Sequence, residues 1–244
     1  MSIIFEELDF QTTPLGDISL RRRTEFRLNN MILYEIKLGD EFLMSSLFTE
    51  SETQLSKLVL TELKKKYSDG LNIIIGGLGL GYTAVATLKD HAVKSLQIIE
   101  VMKPVIDWHR RGIVPLGDEL TADSRCVMIH DDFFALASAD CNSFNKKKSG
   151  NLVHAVLLDI DHSPRHWLNE ENGLFYTTPS LKNLSKKILP GGMFGVWSND
   201  PPDHDFINLL ESVFQSAKSH IVNFHNPYTE GKSSCTIYIA QKEY

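Results

Sequence analysis

Asn72-Ile-Ile-Ile-Gly-Gly-Leu-Gly-Leu-Gly81 decides the fold of this chain. Its apolar, β-branched first half is what a strand buried on both faces requires. The glycines after it allow a tight turn and a close approach of backbone to ligand, and a helical pattern from Tyr82 to Asp90 starts directly behind them. A helix beginning there offers unpaired N–H groups in front of the strand end. Glu100 closes the next apolar run, Leu96-Gln-Ile-Ile99, where a carboxylate can accept hydrogen bonds from both hydroxyls of a ribose.

The glycine spacing separates two nucleotide classes. Dinucleotide loops read G-x-G-x-x-G/A and end on a small residue so that helix and strand can pack; counted from Gly77, that position is Tyr82, which disfavours NAD. Gly77, Gly79 and Gly81 instead form G-x-G-x-G, the spacing typical of adenosylmethionine-type binders, whose ligand has no pyrophosphate. A glycine-rich turn without a ligand is the alternative.

Working outward, further apolar runs occur at Cys126–Ile129, Ala155–Leu158, Met193–Trp197 and Thr236–Ala240. Helical patterns separate most of them, at Lys103–Arg111, Ser180–Ile188 and Asp205–Ala217, with Thr178-Pro179 as cap and first-turn proline of the second. This alternation predicts an α/β fold of the Rossmann-like methyltransferase type, a mostly parallel seven-stranded sheet with helices on both faces. Residues 1–50 lack helical periodicity. Short strands at 17–21, 31–37 and 41–44, broken by Gly16, Asn29-Asn30 and Gly39-Asp40, predict a small N-terminal antiparallel β appendage, and residues 51–244 form the cofactor-binding catalytic domain. Thr49 and Glu52 have the spacing of a capping box for a helix carrying Leu55, Leu58, Leu60 and Leu63.

Bulk properties narrow the class. The 244 residues are 42% hydrophobic and 23% charged, ordinary for a globular protein. Apolar stretches are strand-length, too short for a membrane span, and the acidic start is unlike a signal peptide. Cys126, Cys141 and Cys235 show no paired spacing, which fits a reducing, cytoplasmic setting. A net charge of −6 argues against nucleic acid as a partner, and the basic runs Arg21–Arg23, Lys64–Lys66 and Lys146–Lys148 read as solvated helix ends and loops.

Two acidic strand ends remain. Asp131-Asp132 closes the third core strand; a carboxylate there can meet an adenine amino group, with Phe133 or Phe134 against the base, or cap the next helix. Asp159, in Leu157-Leu-Asp-Ile-Asp-His-Ser-Pro164, falls beyond the fourth strand, where open α/β sheets bind ligands. Asp159 and Asp161 share a side of an extended backbone, so one can hold a proton while the other is ionised. Asp159, Asp161, His162 and His166 are four possible metal ligands, but Pro164 interrupts any helix that would align the histidines, and no metal is expected.

Taken together, these motifs resemble the spermidine synthase (polyamine aminopropyltransferase) family, from about residue 15 to the C-terminus. Gly76-Gly-Leu-Gly-Leu-Gly81 stands for G-G-G-x-G-G, Ile99-Glu100 ends the second strand, and Asp131-Asp132 stands for a G-D pair. Asp159-Ile-Asp-His-Ser-Pro164 stands for D-S-S-D-P, and Leu189-Pro-Gly-Gly192 precedes the fifth strand. The resemblance implies transfer of an aminopropyl group from decarboxylated S-adenosylmethionine, or use of S-adenosylmethionine itself, to a small-molecule amine. It implies Asp159 as the group deprotonating the amine, Glu100 holding the ribose, Asp132 on the adenine side, and Asp161 and Glu52 as substrate contacts. It also implies a homodimer built on the β appendage. The chain differs from the family where D-E-F-x-Y-H-E is replaced by Thr49-Glu-Ser-Glu-Thr-Gln-Leu55. A methyltransferase and a non-catalytic protein of the same fold are the competing readings; Asn199-Asp-Pro-Pro202 lacks the Tyr of an amino-methyltransferase motif and reads as a loop.

Overall fold

Ile73 and Ile75 pack into one hydrophobic cluster and Ile74 into another, each at most 1% exposed. This is why the run is continuous rather than alternating: both faces of its strand are covered. The computed structural model describes residues 5–145 and 150–244, so the basic run Lys146–Lys148 lies outside the described residues.

The chain opens with β1 (Phe5–Thr13), β2 (Gly16–Glu25), β3 (Met31–Leu38) and β4 (Glu41–Ser45), an antiparallel sheet in that order. Then come α1 (Glu50–Leu63), β5 (Leu71–Gly76), α2 (Tyr82–Leu88), β6 (Val93–Glu100), α3 (Lys103–Arg110), α4 (Gly117–Ala122) and β7 (Cys126–His130). α5 (Phe133–Ser138), β8 (Val153–Leu158), α6 (Thr178–Ser185), β9 (Ile188–Ser198) and α7 (His204–Glu211) lead to the closing hairpin, β10 (Ser216–Asn226) and β11 (Gly231–Gln241).

The main sheet has seven strands in the order β10-β11-β9-β8-β5-β6-β7, parallel from β9 to β7 and antiparallel in the hairpin. From β5 the chain runs outward through β6 and β7, then returns to lay β8 on the other side of β5. The switch point of the topology therefore lies between the ends of β5 and β8, where the glycine loop and Asp159 emerge. α1, α2 and α3 pack on one face with Ile18, Leu20, Ile36 and Leu38 of the N-terminal sheet; α5, α6 and α7 cover the other. Trp108 Nε1 and Arg111 donate to Asp9 at 2.6 and 3.0 Å, anchoring β1 to the α3 end.

Several local expectations change. Thr49 precedes α1 but makes no side-chain cap, and Glu52 takes the Ser51 hydroxyl at 2.6 Å inside the protein, so there is no capping box. The helix expected over Asp205–Ala217 stops at Glu211, and Ser216–Asn226 is the edge strand β10, which pairs with β11 along its whole length. Cross-strand pairing overrode a weak helical pattern there. β1 escaped the sequence reading as well; its side chains are mostly exposed, leaving little apolar periodicity. The cap of α6 is Thr177, with Pro179 still in the first turn, and Leu189–Gly192 lies within β9 rather than before it. Arg21–Arg23 belongs to β2 rather than a loop, with each arginine paired to a carboxylate, Glu7, Glu6 and Glu35 in turn.

Candidate active site

The glycine loop is shaped by contact with its neighbours. At Gly77 (φ +94°) a Cβ would sit 2.2 Å from the Asp159 carbonyl oxygen, so only glycine lets the ends of β5 and β8 cross this closely. The loop is then tied from three sides. Leu78 N–H donates to Glu100 Oε2 (2.9 Å), Leu80 N–H to the Met44 sulfur (3.2 Å), and the His109 ring meets the Gly79 carbonyl (2.9 Å). Gly81, also at positive φ, precedes α2. Beyond the loop opens a cavity of about 720 Å³, within the range of small-molecule sites.

One end of the cavity is built from consecutive parallel strands. Glu100, at the end of β6, is 9% exposed and lines it, its Oε1 accepting Met102 N–H at 2.8 Å. Burial raises its pKa, opposed by backbone donors from Met102, Leu78, Val101 and Gly79. Each oxygen of a carboxylate has a further acceptor position for a ligand hydroxyl. Ile99, Val101, Met102, Phe133 and Phe134 supply apolar walls beside it. Asp132 lines the cavity and accepts Ala135 N–H at 3.1 Å as the cap of α5, so the capping alternative is seen; Asp131 Oδ1 accepts Asp132 N–H and does not line the cavity.

The other end gathers residues from distant parts of the chain. Asp159 Oδ2 accepts the Thr83 hydroxyl at 2.6 Å, and burial pushes its carboxyl up to about 6. Its titrating partner is Glu52 from α1, 7% exposed, pushed up to about 8 by burial and by the charge of Asp159. Both carboxyls are held above the ordinary carboxylate range, and the charge of Asp159 opposes ionisation of Glu52. Tyr82 is raised by burial and by Glu52, and the Cys235 thiol is pushed up to about 11 by burial with the charges of Glu52 and Asp159 added. Trp197 and Ser51 complete this wall.

The sequence had joined Asp159 to Asp161; the structure separates them. Asp161 is 3% exposed and turned into the segment after β8, where Oδ1 takes Leu168 N–H (3.0 Å) and Asn172 (2.7 Å) and Oδ2 takes the Tyr176 hydroxyl (2.9 Å). β8 ends at Leu158, before both carboxylates, so the strand's two-residue periodicity does not reach them. The four candidate metal ligands also diverge: Asp159 to Thr83, Asp161 to its loop, His162 to Glu41 and His166 to Asp200. Among the described residues, no three His, Cys, Asp or Glu side chains converge as a metal set, and no helix is long and apolar enough to cross a membrane.

Sequence reasoning missed Thr83, Tyr82, Trp197 and Cys235 at this site. Tyr82 and Trp197 follow from position, one directly behind the glycine loop and the other at the end of β9. Cys235 carries no such signal, since it arrives on a strand running the opposite way.

No family model and no curated protein matches the sequence. Solved structures do. The spermidine synthase from Thermotoga maritima superposes with a TM-score of 0.69 at 13% identity, over 97% of this chain and 72% of its own. A spermidine synthase in complex with the transition state analogue AdoDATO gives 0.68 at 15% identity, over 97% and 73%. A probable spermidine synthase from Corynebacterium glutamicum ATCC 13032 gives 0.64 at 12% identity, over 98% and 80%. At such identities the likeness is one of architecture, and along nearly its whole length this chain has the spermidine synthase fold.

Proposed function

We propose that this protein is a spermidine synthase-like transferase that moves an aminopropyl group from decarboxylated S-adenosylmethionine to an amine. The observation that carries the reading is the buried Asp159–Glu52 pair in a cavity also lined by Glu100 and the glycine loop. The acidic residues lining the cavity are Glu52, Glu100, Asp132 and Asp159, against one lysine, Lys232, and no arginine, counted among the described residues. Such a lining favours a sulfonium donor and an ammonium acceptor, and disfavours a donor that brings a carboxylate of its own. That is the reason to favour the decarboxylated donor over S-adenosylmethionine. A spermidine synthase of this fold was crystallised with the analogue AdoDATO, which agrees with the same choice.

The donor supplies an electrophilic methylene next to a sulfonium. Glu100 would accept the ribose hydroxyls, and the apolar walls by Phe133 and Phe134 would flank the base. An ammonium has no lone pair for attack, so the ionised Asp159 first orients it and draws its proton away. The C–N bond then forms as the C–S bond breaks, and the thioether leaves with the bonding pair. Glu52 shares the cavity lining with this carboxylate, and Thr83 holds Asp159 in place. Little else is needed beyond alignment.

Titration with decarboxylated S-adenosylmethionine, S-adenosylmethionine, methylthioadenosine and S-adenosylhomocysteine tests the reading, with heat or melting temperature as readout. Binding of the first and third, with a product one aminopropyl group heavier than an added amine, is the expected result. Preference for the second and fourth would replace it with methyl transfer, and silence from all four in folded protein would leave a non-catalytic use of the fold.

A further inference from the structure

Resting on the aminopropyl-transfer reading, we infer that the acceptor is a primary amine with a single positive charge and a neutral alkyl or aryl tail, because among the described residues the cavity holds one carboxylate seat and no second one. The four acids of the lining do not make two cation sites. Glu100 is committed to the loop N–H of Leu78 and to Met102 at the nucleotide end, and Asp132 caps α5 there. Glu52 and Asp159 are the remaining two; both line the cavity, and the charge of Asp159 acts on Glu52, so they form one seat. Asp161, the acid nearest in sequence, is withdrawn from the cavity by Leu168, Asn172 and Tyr176.

Beyond that seat the wall is neutral and partly aromatic. Phe48 and Phe224 lie 5.6 Å apart between ring centres and line the cavity with Trp197, Asn226 and Ser233. Among the described residues, the lysine that lines the cavity is Lys232, three residues before Cys235 on β11 and therefore about 10 Å along the strand from it. A diamine with one ammonium between Glu52 and Asp159 would carry its second past aromatic rings toward a lysine. Desolvating that charge without a counter-charge disfavours the diamine, whereas a neutral tail packs against the same rings.

The test is binding first and turnover second, on the full-length protein. With methylthioadenosine saturating, calorimetry at pH 8 compares butylamine, hexylamine and phenethylamine with 1,4-diaminobutane and spermidine. The expected result is an affinity at least roughly tenfold higher for the best monoamine than for either polyamine. The variant Lys232→Glu places a carboxylate at the far end of the wall and should shrink that gap. Equal or tighter binding of 1,4-diaminobutane overturns the inference, as does a gap unchanged by Lys232→Glu. Incubation with decarboxylated S-adenosylmethionine and mass analysis of the amines then judges transfer separately. Monoamine binding without an aminopropylated product would sink the transfer reading while leaving the seat as described.

Discussion

The two ends of the cavity are built in opposite ways. The proposed nucleotide side comes from consecutive pieces of chain: β5, the glycine loop, β6 and the start of α5, each delivering its residue at a parallel strand's carboxyl end. The amine end joins α1, the starts of α2 and of the segment after β8, the end of β9 and the antiparallel β11, so that Ser51 and Cys235 are neighbours. A local frame holds a ligand by backbone geometry and resists change. An assembled corner depends on every element that enters it, and its charges influence one another.

This contrast is open to attack at four places. The largest effect is expected at the assembled corner: Asp159→Asn should lower the transfer rate about 10²- to 10⁴-fold, the usual contribution of a positioned base. Methylthioadenosine binding, measured by calorimetry, should stay within a few-fold, and a joint collapse of both would erase the distinction between the ends. Next is Glu100→Gln, which turns an amide NH2 toward donors that now meet a carboxylate. Adenosyl-ligand affinity should fall about 10- to 100-fold, as for a lost hydrogen bond to a charged group. An unchanged affinity would remove Glu100 from the nucleotide frame.

Asp161→Asn sharpens the comparison from outside the cavity. Its three partners are loop groups, so the variant should lose about 1–3 kcal/mol of stability, read as a lower Tm, with ligand affinities intact. A loss of amine affinity at unchanged Tm would return Asp161 to the site. The smallest effect is the pH dependence of Glu52→Gln. The folded pKa of Glu52 lies above its unfolded value, so the native state holds this proton longer than the unfolded chain does. Its contribution to stability therefore declines as pH rises from the ordinary carboxylate range through about 8. Relative to wild type, Glu52→Gln should gain Tm between pH 5 and pH 8.5, at about 2–4 °C per kcal/mol for a chain of this size. A difference constant with pH would mean that Glu52 is not held protonated by its surroundings.

Much of this molecule was legible in its residues. Asn72–Ile75, the apolar runs after it and the helical patterns between them announce a parallel sheet, because burial on both faces and helix amphipathicity are written at short range. Gly77, Gly79, Gly81 and Glu100 were legible as a loop and a strand end for the same reason: a tight turn and a strand end are local events. β1 and β10 were hidden, since edge strands exposed on one side keep little periodicity and gain their order from a partner strand.

The amine end was legible only in part. Asp159 follows from its place at the end of the fourth core strand, but its partner does not. Spacing pointed to Asp161, two residues away, and the chain's turn after Leu158 sent that side chain into the loop. By spacing Glu52 read as part of a helix cap, and only the family resemblance made it a substrate contact; packing α1 against β9 and β11 set it within reach of the charge of Asp159. Sequence by itself determined the sheet, the glycine loop and the strand-end carboxylates, because these arise from periodicity and backbone conformation over a few residues. Tertiary structure alone decided which carboxylates are buried within reach of each other's charge, because burial and Coulomb coupling depend on distances in space between residues a hundred positions apart.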